Sequence, residues 1–330
     1  VAALPDDLRV SLEQVLRPSS TQEIARSVER LIERYRRGTA ATEPILRSPT
    51  DVAAYAAYRM PATFAAVRAA LARVAEVAPE FRPRTHVDVG GGTGAAVWAA
   101  AETWPSLESA EVLEQVSQVM TLGRRLAEGA EAPVVRGARW RRYVVGPGPT
   151  LPEADLVTMS YVLGELPEAH RAGIVREMAA RGGVVALFEP GTPAGHQRVL
   201  AARELLVEQG MTVLAPCPHS AACPISGGED WCHFAARVTR SVLHRQVKAA
   251  SLGYEDEKFS YVVAARTAWA PAEGRVVRHP LRRKGLVSLR VCTADGGLTT
   301  ETVSKRHGET YRRARDLEWG DAWPPVGEDG

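Results

Sequence analysis

The sequence predicts an α/β fold with a doubly wound parallel sheet, a helical N-terminal extension and a Cys-rich, basic C-terminal part. Three observations predict it. Between Arg84 and Gly191, short apolar runs alternate with turns and helical periodicity, the rhythm of strands joined by crossover helices. Ahead of that stretch, apolar residues recur at helical spacing. Beyond it, Pro, Gly and Cys gather in one segment, and strands joined by turns follow. With 330 residues, 45% of them hydrophobic, the chain can bury full cores without staples and is long enough for about two domains.

The elements follow in order. Residues 1–80 read as helices: Ile24, Val28, Leu31, Ile32 and Tyr35 share a face, Thr21 suits a start and Gly38 a stop. Asp51 to Val77 is Ala-rich and reads as packing helix. Residues 81–270 hold the sheet. Its strands are HVDV after Arg84, SAEVLEQ, APVVRGARWRRYVV (132–145), ADLVTMS running into YVLGEL, and RGGVVALFEPG. Helices are expected at EAHRAGIVREMAA and HQRVLAARELLVEQ, an irregular Cys-rich loop at 211–234, a helical pattern at 235–250, and a strand at KFSYVVAAR. Residues 271–330 form the basic, β-rich segment, with strands in VVRHP, GLVSLRVC and GGLTTETVS and a loose tail, DAWPPVGEDG.

Composition narrows the function. No run approaches 18 uncharged apolar residues, so no membrane span is expected. The first residues, VAALPDDLRV, lack a basic segment followed by an apolar one, so no signal peptide is expected. Both point to the cytoplasm, where thiols stay reduced. The net charge of +2 does not by itself indicate nucleic acid.

The first chemical motif is Asp88-Val89-Gly90-Gly91-Gly92-Thr93-Gly94, between a strand and a helix. Such glycines permit a tight turn and let a ligand approach backbone amides at a helix start. A P-loop is excluded, because no Gly-Lys-Ser/Thr follows. A dinucleotide fingerprint is formally present as Gly90-x-Gly92-x-x-Ala95. Asp88 and the third glycine favour instead the Asp-x-Gly-x-Gly-x-Gly loop, which resembles motif I of the S-adenosylmethionine-dependent methyltransferases. Glu114, at the end of the second strand, suits a ribose diol in either case. Ser160, at the end of the fourth, completes the candidate cofactor residues Asp88, Gly90, Gly92, Gly94, Glu114 and Ser160. Glu165 suits either cofactor orientation or a helix cap. No catalytic base or nucleophile is identifiable, since the Asn/Asp-Pro-Pro-Tyr signature is missing and no Cys precedes residue 217.

The four cysteines are spaced Cys217-x5-Cys223-x8-Cys232-x59-Cys292. Four thiolates suit tetrahedral zinc or a cubane iron–sulfur cluster. Zinc sites usually bring close pairs, absent here; three ligands on one loop with a remote fourth suit a wider cluster better. Cys217 and Cys223 each precede proline, which also recurs at cluster sites. His219 and His233 are alternative ligands, and ordinary loop polarity is the plainer use of each. A radical enzyme is set aside for lack of a C-x3-C-x2-C set.

From Arg275 to Arg315 there are eleven Lys or Arg against three acids, a net of +8 in a chain of +2. That asymmetry favours RNA phosphates as partner, through Arg278, Arg282, Arg283, Lys284, Lys305, Arg306, Arg312 and Arg313. Tyr311 is expected in the core rather than on a base.

Taken together, the Asp88–Gly94 loop, SYVLGEL, LFEPGTPAGHQ, CPH…CP…WCHF, Cys292 and KRHGETYRRAR resemble the methyltransferase-like small-ribosomal-subunit protein family of mitochondria, which has bacterial counterparts. The resemblance covers roughly residues 50 to 320. It implies a Rossmann-like class I methyltransferase domain. It implies a [4Fe–4S] cluster on Cys217, Cys223, Cys232 and Cys292, with zinc as the alternative. It also implies binding to the small ribosomal subunit and its 16S-type rRNA during assembly. An active RNA or small-molecule methyltransferase with a structural zinc is the competing expectation.

Overall fold

The computed structural model describes residues 3–37, 48–146, 150–226, 229–239 and 254–324. The chain forms two compact units, one of Val1–Ala69, Arg82–Glu165 and Ala236–Glu257, the other of Ala70–Phe81, Leu166–Ala235 and Lys258–Gly330.

The first unit opens with helices α1 (Asp6–Leu16) and α2 (Thr21–Arg37), and α3 (Pro49–Val77) begins in it. Ser20 and Glu23 cap α2 reciprocally: the Glu23 amide donates to Ser20 Oγ at 3.3 Å, and the Ser20 amide to Glu23 Oε2 at 2.9 Å. The expected stop at Gly38 lies outside the described residues. Strands β1 (Thr85–Val89), β2 (Ser109–Glu114), β3 (Arg139–Arg142) and β4 (Ala154–Ser160) run parallel in the order β3-β2-β1-β4. Val87 stands between Glu111 and Val157. Helices α4 (Ala95–Thr103), α5 (Ser117–Glu128) and α6 (Pro133–Arg136) connect them. The third strand is shorter than its sequence suggests. Pro133 takes the first position of a helical turn, where its missing N–H costs nothing, and Gly137 ends that turn, so pairing begins only at Arg139.

The second unit contains α7 (Glu168–Arg181), β5 (Gly182–Pro190), α8 (Pro193–Glu208) and β6 (Thr212–Ala215). Strand β8 (Tyr254–Ala265) runs antiparallel to both β5 and β6, with a bulge between Val213 and Ala215. Strand β7 (Phe234–Thr239) also pairs with β8. Two expectations change here. The 211–234 segment is not wholly irregular, because β6 opens it. The start of 235–250 is strand rather than helix: Phe234, Ala236 and Val238 are buried while Arg237 is exposed, a period of two. Residues 240–250 lie outside the described residues.

A second, antiparallel sheet holds β9 (Gly274–Val276), β10 (Leu281–Arg283), β11 (Leu286–Thr293) and β12 (Leu298–Ser304), in the order β10-β11-β12 with β9 also on β11. Residues 309–316, expected to continue the strand-and-turn pattern, form helix α9 instead. It closes a core of Val276, Val287, Leu289, Val291, Val303, Ala314, Leu317 and Trp323, against which Tyr311 packs. The tail from 325 lies outside the described residues. Among the described residues, no helix is long and apolar enough to cross a membrane. The crossovers and parallel strand order of the first unit, with β8 reversed in the second, make this a Rossmann-like, doubly wound fold.

Candidate functional site

The glycine loop sits at the carboxyl ends of β1 and β4, where open α/β sheets bind ligands. Its geometry excludes side chains at Gly90 and Gly91. Gly90 has φ +65°, and a Cβ there would stand 2.5 Å from Val162 Cγ2. A Cβ on Gly91 would meet the Asp88 carboxylate at 2.4 Å. Gly92 (φ +57°) opens instead into space, with the Tyr55 hydroxyl 3.9 Å from where its Cβ would be. Glu114 Oε2 accepts from the Gly92 amide at 3.0 Å and Oε1 from the Val116 amide at 2.9 Å. The acid expected to read a ribose thus also fixes the loop. Each of its oxygens retains a lone pair for a diol.

Beneath the loop lies a buried polar chain. His86 Nε2 stands 2.8 Å from Thr158 Oγ1, which donates to Asp88 Oδ1 at 2.6 Å. Burial pushes Asp88 up to about 7, with Glu114's charge adding to the shift and the Thr158 hydrogen bond opposing it. Burial alone takes His86 down to about 3. Thr158 and His86 went unnoticed in the sequence, where they read as ordinary strand residues. At the end of β4, Ser160 Oγ is buried with no hydrogen-bond partner among the described residues. Tyr161 follows with φ +62°, a strained conformation for a bulky residue. Arg59 lies over its ring at 4.7 Å and pairs with Glu257 at 3.5 Å. Helix α7 is capped by Pro167 without a side-chain hydrogen bond, so Glu165, which is exposed, does not serve as its cap.

The second unit brings the four cysteines into one neighbourhood. Cys292, on β11, is buried with Ile225 and Val277, and Cys223 and Cys232 pack against them. Burial pushes Cys292 up to about 12 and Cys232 well above its ordinary value, and the like charge of the other thiols adds to both. Cys217 is raised by burial, while Arg203 and Arg275 pull it down. His219 Nε2 lies 3.4 Å from Cys292 Sγ. His233 Nδ1 donates to the Trp231 carbonyl at 3.1 Å, and the ring stacks on that of Trp231. Among the described residues, no set of three or more His, Cys, Asp or Glu side chains is arranged as a formed metal-ion site.

Two arginines flank this neighbourhood, and sequence reading missed both. Arg203 is 3% exposed and Arg275 0%. Arg203 Nη2 donates to the carbonyls of His219 (2.8 Å) and Ala221 (2.6 Å), between Cys217 and Cys223. Arg275 donates to the carbonyls of Pro216 (3.0 Å) and Gly320 (3.0 Å), and its register partner across the strands is Cys292. A signal existed for Arg203: with Val199, Ala202 and Leu206 it shares the buried face of α8, an unusual place for a cation. Arg275 had none, being one arginine in a basic run.

The basic residues fall into two groups. Arg278 is held by Asp230 and the Trp231 carbonyl, so it fastens the Cys loop. Arg282 donates to the Arg315 and Leu317 carbonyls, and Arg312 and Arg313 face Glu309 at 2.8 and 3.9 Å. Arg283, Lys284, Lys305 and Arg306 are exposed and have no partner among the described residues. They lie together, because Leu286 pairs with Ser304 and the Lys305 amide donates to the Gly285 carbonyl at 3.0 Å. Leu281, 66% exposed, borders them.

Comparison with known proteins fits this arrangement. The chain is 30% identical over 291 residues to the human mitochondrial ribosome assembly protein METTL17, covering 82% of this chain and 62% of that protein's length. It is 27% identical over 189 residues to the Rsm22-cox11 tandem protein 2, mitochondrial, of Schizosaccharomyces pombe, covering 44% of this chain and 25% of the relative. The chain therefore spans less than two thirds of the curated relatives it matches. The profile of the mitochondrial small ribosomal subunit Rsm22 family matches residues 49–324, which take in the glycine loop, all four cysteines and the exposed basic patch, and the chain belongs to that family.

Proposed function

We propose that this protein is a small-ribosomal-subunit assembly factor that binds 16S-type rRNA, with an S-adenosylmethionine site in its first unit and a [4Fe–4S] cluster on its four cysteines in the second. The observation that carries this reading is the family match over 49–324, because one stretch contains all three sites. The assembly role named for the human relative supports it.

In the first unit, Glu114 accepts the ribose hydroxyls, the ligand approaches the loop backbone where Gly92 leaves room, and Ser160 supplies a buried hydroxyl in need of a partner. S-adenosylmethionine, when bound, supplies an electrophilic methyl group. The chain's own residues bind and enclose it. Methyl transfer is the second reading. The strained Tyr161 favours it, since such strain gathers at reacting centres. In the second unit, four thiols share one neighbourhood flanked by two buried cations, a donor set and charge environment that fit a four-thiolate group. Cys217, Cys223 and Cys232 on the loop and Cys292 on β11 would hold the cluster, which would tie the loop to that strand. Arg283, Lys284, Lys305 and Arg306 meet RNA phosphates.

The test is anaerobic purification of the full chain with measurement of iron, acid-labile sulfide and zinc, followed by binding to small-subunit particles. Iron and sulfide near four each are expected. Zinc near one without sulfide would replace the cluster by the zinc alternative, and label passing from S-adenosylmethionine to rRNA would favour the second reading. Failure to bind the particles would remove the assembly role.

A further inference from the structure

Arg203 and Arg275 raise a question that their hydrogen bonds do not answer. Both guanidinium groups are buried, and among the described residues neither forms an ion pair with a carboxylate. Their acceptors are backbone carbonyls, which satisfy N–H groups without cancelling charge. Each also keeps one nitrogen, Arg203 Nε and Arg275 Nη2, buried without an acceptor. The other titratable groups around Arg275 are Tyr261, buried and holding its proton, and Arg73, Glu76 and Asp321. Arg73 bridges the two acids at 2.9 Å each, and all three are partly solvent-exposed and screened. A buried cation is tolerated when something nearby carries the opposite charge. The four cysteines are buried groups able to do so: the Arg203 acceptors lie inside the Cys217–Cys223 segment, Arg275 pairs in register with Cys292, and both arginines act on Cys217, whereas Asp295, which acts on Cys292 and His219, is exposed.

Four neutral thiols would leave both arginines without a buried counter-charge beside them. Four thiolates around a [4Fe–4S] core of charge +2, or around one Zn²⁺, total −2. The two arginines match that charge in number and sign. Resting on the four-thiolate reading above, we infer that Arg203 and Arg275 are the counter-cations of a doubly negative centre and set the electrostatic potential in which it sits. They are positioning residues rather than ligands, and they discriminate by total charge.

The experiment compares full-length wild type with Arg203→Met, Arg275→Met, Arg203→Lys and Arg275→Lys. Metal and sulfide are measured first on wild type, then the reduction potential of each loaded protein. Reduction adds a third negative charge, which a neighbouring cation stabilises. Each Met variant should therefore shift the oxidised-to-reduced ratio at fixed poise at least tenfold toward oxidised, about 59 mV for one electron. The Lys variants keep the charge but lose the planar fork onto the carbonyls, and should stay within a few-fold of wild type. If the centre is zinc, the readout is chelator competition, with a tenfold weaker affinity expected for the Met variants and near wild-type affinity for Lys. Loaded Met variants with unchanged potential or affinity would overturn the inference. So would Lys variants that fail to fold or load as completely as Met, because the carbonyl fork would then be the whole role. Wild type holding no iron, sulfide or zinc would overturn the four-thiolate reading itself, a failure visible before any variant is made.

Discussion

Asp88 and His86 illustrate how two buried residues pull pH dependence in opposite directions. Asp88 is raised from 3.8 to about 7, so the native state holds its proton more tightly, and its contribution to stability is lost as pH rises from 3.8 through 7. His86 is lowered from 6.5 to about 3, so its contribution is lost as pH falls below 6.5. The two slopes offset each other across the acidic range, and only that of Asp88 acts between pH 6.5 and 7. Asp88→Asn removes one of them. Thermal or denaturant unfolding between pH 5 and 8 should show the stability of Asp88→Asn, relative to wild type, rising with pH by up to about 1.4 kcal/mol per unit until pH 7 and flat above it. A pH-independent difference would remove Asp88 as a titrating group. The glycines and Glu114 of this site were legible in the sequence, because only glycine tolerates their backbone and the acid falls at the expected distance. Thr158 was not, since nothing in a strand sequence tells which hydroxyl will face which carboxylate.

Elements were legible where pattern and local chemistry agree. β1, β2, β4 and β5 form where their apolar runs read, and β8 extends its expected KFSYVVAAR run back through the acidic Tyr254–Glu257. The third strand misled, because VVRGARWRRYVV looks extended until Pro133 is weighed as a helix-starting residue. The helical reading of 235–250 failed at its start, because Phe234 to Val238 alternates in burial. The glycine turn is an element with little tolerance. Gly90→Ala places a Cβ 2.5 Å from Val162 at φ +65°, and should cost at least about 2 kcal/mol, read as a lower denaturant midpoint at unchanged m. An unchanged midpoint would mean that the turn rearranges freely. The Cys loop is an element of the other kind, short of regular structure and held by Arg203, Arg278 and the Trp231 indole on the Gly191 carbonyl at 2.9 Å. Cys232→Ser should lose bound metal and melt at a lower temperature. Equal metal content and melting would take Cys232 out of the donor set.

Across the whole molecule, charge is sorted rather than abundant. A net of +2 conceals the +8 of residues 275–315, and within that stretch most cations are engaged with the protein itself. Charge counting found the region but could not separate Arg278 and Arg282, spent on carbonyls and acids, from the four that face solvent. Reversing Arg283, Lys284, Lys305 and Arg306 to Glu should weaken rRNA binding and reduce the slope of log affinity against log salt by roughly three. A slope that does not move would place the RNA contact elsewhere. The register of Arg275 with Cys292 also has a consequence in time. The first three thiols lie at 217, 223 and 232 and the fourth at 292, on a strand that must pair with β9 and β12 before it is fixed. At a synthesis rate of about 5–20 residues per second, the nascent chain carries an incomplete set of three cysteines for roughly 3–12 seconds before the fourth is even made. During that interval the loop is a reactive trithiol on a ribosome-bound chain. Its thiols depend on the reducing power of their surroundings, and not yet on the fold that later shelters them.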